Sequence, residues 1–358
     1  MSRFLTQKAR KLAPYVAGLQ PKESMIKLNT NENPYPPSPK VENAIKNADI
    51  SRLSLYPNCE STQLCEAIAS NFGIPSSKIF CTNSSDEVLD LAFAAFLAGK
   101  TNVLMPEISY GFYPVWAEKY DVAATPIPLN ADFSINPNAY KGGNGVVIAN
   151  PNAPTSLALN LADIEQIIIN NPNGIVIIDE AYIDFAAIES AIKLVGKYDN
   201  LLVTRTFSKS YSLAGLRVGI GIGNEELIAG LNRMKNALNP YALDMLAQIG
   251  ATAAIKDSEC LRETCEKIKT TRTKTTQELR KLGFEILESQ ANFIFMKCEN
   301  GAELYEYLYA HKILTRRWNT PKIHDFLRIT IGTDQQMEEV VSCVKQYLLE
   351  KQQKQMLN

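Results

Sequence analysis

Lys209 stands between two serines in TRTFSKSYSLAGLRVG, residues 204 to 219, directly after the apolar run Leu201-Leu202-Val203. A lysine at the end of a buried strand loses part of its ammonium character by desolvation and becomes a nucleophilic amine. Thr206 and Ser208 add hydroxyl donors, and Arg217 adds a planar fork suited to an oxyanion. In isolation the same stretch also reads as a surface lysine in a serine-rich turn. A second stretch, IVIIDEAYIDF (175–185), delivers Asp179 straight out of a β-branched apolar run. A buried carboxylate there is costly unless it meets a cation or several donors. Capping the next element is the plainer role for Asp179, and Tyr182, three residues on, can share its face. The third stretch, NSSDEVLDLAFAAFLAG (83–99), sets Ser84 and Glu87 at capping-box spacing before an apolar helix that Gly99 stops. The amides of Ser85 and Asp86 then point from a helix N-terminus, a natural anion site, unless the segment is simply a well-capped core helix.

One cofactor unites the three stretches. Pyridoxal phosphate needs a lysine for its Schiff base, an acid opposite its ring nitrogen and an anion cup for its phosphate. Its pyridinium is the cation that a buried Asp179 otherwise lacks. The rest of the composition closes off competing chemistries. Only two histidines occur, His311 and His324, too few for a multi-histidine metal site, and both read as surface or loop residues; no metal is expected. The seven cysteines are scattered without a C-x-x-C pair, which fits a reducing compartment and a cytoplasmic protein. A formal charge of -1 leaves no electrostatic footprint for nucleic acid. No signal-peptide core opens the chain, and its longest apolar stretch is too short for a bilayer, so no membrane partner is expected. GIGIGN at 219–224 is not G-x-G-x-x-G, which argues against a dinucleotide site.

These residues need a scaffold, and the apolar runs supply one. KIFCT (78–82), TNVLMP (101–106), GVVIAN (145–150), GIVIIDEAY (174–182) and NLLVTRTFS (200–208) are continuous rather than alternating. Such runs suit strands covered on both faces, hence an α/β fold with a largely parallel sheet. Helical segments at 86–98 and 161–170 lie between them. Ligands in such sheets sit beyond the carboxyl ends of the strands, where Asn150 to Asn152, Asp179-Glu180 and Thr206 to Lys209 all fall. At 358 residues the chain exceeds one core, so two units are expected. The charged stretch 256–281 reads as a long, solvent-facing connecting helix. FEILES, NFIFMKC, a helix near 302–311, FLRITIG and a last helix from about 335 then build a small α/β unit.

TFSKSYSLAGLRVG with DEAYIDF, NPNAPT, NSSDE and NENPY, in that combination and spacing, resembles the class I/II aminotransferases of fold type I, and among them the histidinol-phosphate aminotransferases. The resemblance spans LAPYVAG at residue 12 to FLRITIGT at 326–333. It implies the pyridoxal-phosphate-dependent transferase fold, with a large mostly parallel-sheet domain (30–260) and a small α/β domain (1–29 and 261–358). It also implies Lys209 as the Schiff-base lysine, Asp179 opposite the pyridine nitrogen and Tyr182 on the phenolic oxygen. Ser85, Asp86, Thr206, Ser208 and Arg217 are then expected around the cofactor phosphate, and Tyr110 stacked on the ring. Tyr56 is expected to reach the cofactor phosphate of a neighbouring subunit, which implies a homodimer with shared sites. Arg328 matches the arginine that receives the substrate's anionic group, with Arg316, Tyr15 and Asn33 as further pocket residues.

Three positions depart from the family pattern. Ala153 stands where many relatives carry asparagine against the phenolic oxygen, leaving Asn152 as the nearest amide. Ser156 and Ser84 replace glycines. The implied reaction converts L-histidinol phosphate and 2-oxoglutarate to imidazole-acetol phosphate and glutamate, a step of histidine biosynthesis. A threonine-phosphate decarboxylase-like lyase shares nearly every cofactor residue, and an aromatic amino acid aminotransferase also fits. A silent regulatory module of the same fold is the non-enzyme reading. Intact Lys209, Asp179 and Arg217 argue against that one.

Overall fold

A computed structural model describes residues 2–21 and 23–356. Its strands, in chain order, are β1 (Ile26–Lys27), β2 (Ile79–Asn83), β3 (Asn102–Pro106), β4 (Ala123–Ile127), β5 (Gly145–Ala149), β6 (Ile175–Asp179), β7 (Leu201–Thr206), β8 (Val218–Gly223), β9 (Glu285–Ile286), β10 (Phe293–Lys297), β11 (Ile313–Leu314), β12 (Arg316–Arg317) and β13 (Phe326–Thr330). Seven of them form one sheet in the order β2-β8-β7-β6-β5-β3-β4. Every neighbour from β7 to β4 is parallel, while β8 runs antiparallel to both β7 and β2.

The apolar runs explain why this sheet is sandwiched. Along β5, β6 and β7, Val146, Ile148, Val176, Ile178, Leu201 and Val203 enter one buried cluster. The alternating residues Val147, Ala149, Ile175, Ile177 and Leu202 enter another on the opposite face. Each such side chain gains about 1.5–3 kcal/mol from burial, so no face can be left in water. The expected α/β fold is present, with a mixed rather than wholly parallel sheet.

Two strands of this sheet escaped the sequence reading. Ala123–Ile127 is the sheet's outer strand and is half exposed, so it lacks a continuous apolar run. Val218–Gly223 alternates with glycines for a steric reason. A Cβ on Gly219 would lie 2.1 Å from the Ser84 carbonyl carbon and the Ser85 nitrogen. Glycine is therefore what lets the strand touch the start of the helix Ser84–Ala92.

The second sheet is antiparallel, in the order β12-β13-β10-β9. Its core joins Phe293, Ile294, Met296, Leu327 and Ile329 to the C-terminal helix Asp334–Met356. The helix Ser258–Lys281 links the two sheets and is not simply solvent-facing, as its charge suggested. Thr264, Cys265, Ile268, Thr271, Thr275 and Leu279 are buried, a stripe at helical spacing built largely of small polar residues. Residues 28–33 run between the sheets: Thr330 donates its backbone N–H to the Leu28 carbonyl, and the Asn33 amide reaches the carbonyls of Lys209 and Ser210.

Candidate active site

The lysine loop leaves β7 at Thr206 and folds back at once. Phe207 donates its N–H to the Val218 carbonyl, and Leu213 donates to the Phe207 carbonyl. Lys209 is half-buried by this turn, and among the described residues its amine donates only to the Thr30 carbonyl, at 3.0 Å. Burial first, then the neighbouring guanidinium of Arg328, pulls its pKa down to about 8. A sizeable fraction of this amine is therefore neutral near physiological pH.

Asp179 ends the central strand β6 and is buried. Its carboxylate accepts hydrogen bonds from the Tyr113 hydroxyl at 2.9 Å and the Thr204 hydroxyl at 3.1 Å. Neither donor is a cation, and burial raises its pKa to about 6 despite them. A polar group so placed is poised for a positive partner from outside the chain. Tyr113 was missed in the sequence. It follows the anticipated Tyr110 by three residues, and that spacing on the turn into the helix Tyr113–Lys119 was its only signal.

The anion cup assembles through the antiparallel pair β2 and β8. Ser84 donates its N–H to the Arg217 carbonyl at 2.8 Å, which brings the Arg217 backbone against the start of the helix Ser84–Ala92. Arg217 reaches Ser208 Oγ at 3.5 Å and Asp86 Oδ2 at 3.5 Å. Asp86 also accepts from the Tyr110 hydroxyl at 2.9 Å. Thr206 Oγ1 accepts the Ser208 N–H. Ser85, Asp86, Thr206, Ser208 and Arg217 thus share one neighbourhood of helix-end amides, hydroxyls and a guanidinium.

The capping box takes a different form from the expected one. Ser84 lies inside the first turn with φ of 72° and makes no cap. Glu87 instead accepts the Asn83 N–H at 2.8 Å and the Thr82 hydroxyl. Ser156 likewise has φ of 65°. Both serines occupy the left-handed conformation that glycine adopts without strain.

Tyr182 lies between the two sheets, edge-on to Phe293 at 5.1 Å. Its hydroxyl accepts from Asn31 Nδ2 at 2.9 Å. Asn31 is a second residue the sequence reading missed, although it opens the NENPY motif. Asn152 is fully committed elsewhere: its amide donates to the Ile108 carbonyl and to Thr155, and its oxygen accepts from Ser109. Ala153 is buried in the apolar cluster that holds Tyr182. The amide that meets the tyrosine in this chain is therefore Asn31.

On the small-sheet side, Arg316 and Arg328 are register partners of β12 and β13. The Arg328 guanidinium lies 5.3 Å from the rings of both Phe293 and Trp318 and donates to the Asn29 carbonyl at 2.7 Å. Its buried Nε has no partner among the described residues, and burial lowers its pKa. Arg316 donates to the Val16 carbonyl at 3.3 Å. Tyr15 stacks on Phe112 at 4.3 Å and tilts against Tyr110 at 5.9 Å. Asn33 spends its amide nitrogen on the Lys209 and Ser210 carbonyls and its oxygen on the Tyr35 N–H, so it holds the lysine loop. Tyr56 is set apart from this group. It is 80% exposed and stacks on Tyr241 at 4.4 Å.

A half-buried lysine with a lowered pKa, a buried strand-end carboxylate that meets no cation among the described residues, and a cluster of helix-end amides, hydroxyls and a guanidinium lie at the same sheet edge, and the family model for aminotransferase class I and II matches residues 23–344. The chain belongs to that family. Its relatives include the Psychrobacter arcticus protein named histidinol-phosphate aminotransferase 2, 48% identical, the alignment covering 96% of this chain and 95% of that one. The histidinol-phosphate aminotransferase of Brachyspira hyodysenteriae is 47% identical over 96% of this chain and 99% of its own. Among solved structures, the histidinol-phosphate aminotransferase of Sinorhizobium meliloti in complex with pyridoxal-5'-phosphate superposes with a TM-score of 0.85 at 20% identity, covering 96% of each chain.

Proposed function

We propose that this chain is a pyridoxal-phosphate-dependent aminotransferase that converts L-histidinol phosphate and 2-oxoglutarate to imidazole-acetol phosphate and glutamate. The observation that carries the reading is the pairing of two mismatched groups. Lys209 is a half-buried lysine with a lowered pKa, and Asp179 is a buried carboxylate met by neutral donors alone among the described residues. Pyridoxal phosphate fits both, and its phosphate fits the cup of Ser85, Asp86, Thr206, Ser208 and Arg217. Once bound, the cofactor supplies a carbonyl that condenses with amines and a ring that accepts the electron pair released at the substrate carbon.

The chain's own residues do the rest. Asp179 would hold a proton on the ring nitrogen. Tyr182, oriented by Asn31, would donate to the phenolic oxygen, and Tyr110 would cover the ring. Lys209 moves the proton at the substrate α-carbon. Arg328, with Arg316 and Tyr15 beside it, receives the anionic group. Histidinol phosphate offers a phosphate where glutamate offers a carboxylate, and a guanidinium binds either through paired hydrogen bonds. The reading divides the chain at about residues 30 and 260, so the site lies between a large and a small domain.

Names of relatives near 47% identity support the histidinol-phosphate substrate. Supplying histidinol phosphate with 2-oxoglutarate, and threonine phosphate separately, tests it. Glutamate from the first and no carbon dioxide from the second is expected. Carbon dioxide from the second with no glutamate from the first would make the chain a lyase.

We also propose a cytoplasmic homodimer in which Tyr56 serves the partner's site. Ile50, Leu53, Leu55 and Tyr56 are all more than half exposed, an apolar strip suited to a second copy. Mixing inactive Tyr56→Phe and Lys209→Ala chains should restore about a quarter of wild-type activity, since half the dimers regain one intact site. No recovery after proven exchange, with Tyr56→Phe impaired by itself, would rule out the shared site.

A further inference from the structure

Beneath the lysine loop lies a second polar cluster that the reaction does not touch. Arg205, on β7 and buried, forms an ion pair with Asp184 and stacks its guanidinium on Phe72 at 5.1 Å. The other oxygen of Asp184 accepts the Ser210 hydroxyl at 2.5 Å. Ser210 is 3% exposed and directly follows Lys209. On the opposite side, Asn33 grips the Lys209 carbonyl at 3.0 Å and the Ser210 carbonyl at 3.2 Å.

The loop is thus held twice, through its own carbonyls by Asn33 of the inter-sheet segment and through the Ser210 hydroxyl by Asp184, in the short helical turn Ile183–Phe185 after β6. No other hydrogen bond of the Ser210 side chain competes with the one to Asp184 among the described residues. Asp184 is in turn fixed by a cation that is itself packed on an aromatic ring. Such a chain of contacts transmits position from the rigid strand to the loop, because each link has one geometry.

From this geometry we infer that Asp184 and Ser210 are positioning residues: the chain Arg205–Asp184–Ser210 sets where the Lys209 amine stands. The inference rests on the reading of Lys209 as the lysine that attaches the cofactor. Asp184 reaches the lysine loop through the Ser210 hydroxyl, so its influence on Lys209 passes through the backbone of Ser210. A misplacement of about 1 Å in a reacting group costs up to about a hundredfold in rate.

Ser210→Ala cuts the link while leaving the Arg205–Asp184 pair in place, and Ser210→Thr keeps a hydroxyl. In the holoenzyme, Ser210→Ala is expected to lower kcat about tenfold with KM for the amino substrate unchanged, and to shift the visible absorbance of the bound cofactor. Ser210→Thr is expected to restore both. A lower melting temperature with unchanged kcat and spectrum would overturn the inference, because the serine would then only stabilise the fold. Failure of well-folded Ser210→Thr to recover kcat would overturn it too. Borohydride reduction of the wild-type holoenzyme and peptide mapping separate the two readings. A label away from Lys209 sinks the site assignment. A label on Lys209 together with wild-type kinetics in Ser210→Ala sinks only the positioning role.

Discussion

Two carboxylates five residues apart, Asp179 buried and Asp184 half-buried, have opposite surroundings. Asp184 is paired with Arg205 and bonded to Ser210, so its charge is answered inside the chain. Asp179 is deeper and meets the hydroxyls of Tyr113 and Thr204 and the backbone of Ala181, with no cation bonded to it among the described residues. A satisfied buried charge fixes structure, whereas an unsatisfied one marks a place where a ligand completes the electrostatics. On the proposed reading the cost of Asp179 is part of the function, because a pyridinium would relieve it. Glu180 lies between the two extremes. Burial raises its pKa to about 7, yet Ser190 and the Ala191 N–H both bond it.

The sharpest way to break this contrast is at the amine that shares the Asp179 side. Lys209→Ala should abolish turnover and remove the borohydride-reducible label. Residual label at another lysine would relocate the site. Next come the carboxylates themselves. Asp184→Asn strands Arg205 and should cost on the order of 3–5 kcal/mol of stability, read as a lower denaturation midpoint with or without cofactor.

Asp179→Asn should do the reverse in the cofactor-free protein. The folded pKa of Asp179, about 6, is raised above its ordinary value of 3.8, so its favourable contribution is complete below the ordinary value and lost as pH rises through 6. Above that pH the ionised carboxylate costs about 3 kcal/mol, which asparagine avoids. Cofactor-free Asp179→Asn should therefore match the wild type near pH 4 and exceed it in stability at pH 7. In the holoenzyme the same change should slow turnover roughly a hundred- to several-thousand-fold, if a 3–5 kcal/mol pair is lost in the barrier. A destabilised cofactor-free Asp179→Asn would mean the two carboxylates are alike after all.

The smallest expected effect concerns backbone rather than charge. Ser84 and Ser156 hold positive φ where the resembled family has glycine. Each should gain about 0.5–1 kcal/mol on change to glycine, the left-handed strain relieved less the added chain entropy. Thermal denaturation of the two single variants measures it. A loss of stability in either would show that its hydroxyl outweighs the strain.

Much of this protein was legible as linear text because its chemistry follows its strands. The continuous apolar runs had to be covered on both faces, and that fixed an α/β sheet with polar groups at its carboxyl edge. Lys209, Asp179, Thr206 and Ser208 each stand at or just past the end of such a run, so sequence alone assigned them to one edge. Helix 161–170 was equally plain, because its apolar spacing and Asn160 cap are local. Tertiary structure decided what depends on residues far apart in the chain. Asn31 meets Tyr182 across 151 positions and Tyr113 meets Asp179 across 66, and no periodicity records such contacts. The glycine-rich β8 became a strand only because Gly219 must admit the backbone of Ser84 and Ser85. Local spacing can say that a carboxylate leaves a buried strand; only the packed chain decides whether a cation waits beside it, and that difference separates Asp184, paired with Arg205 and bonded to the loop, from Asp179, which meets neutral donors alone among the described residues.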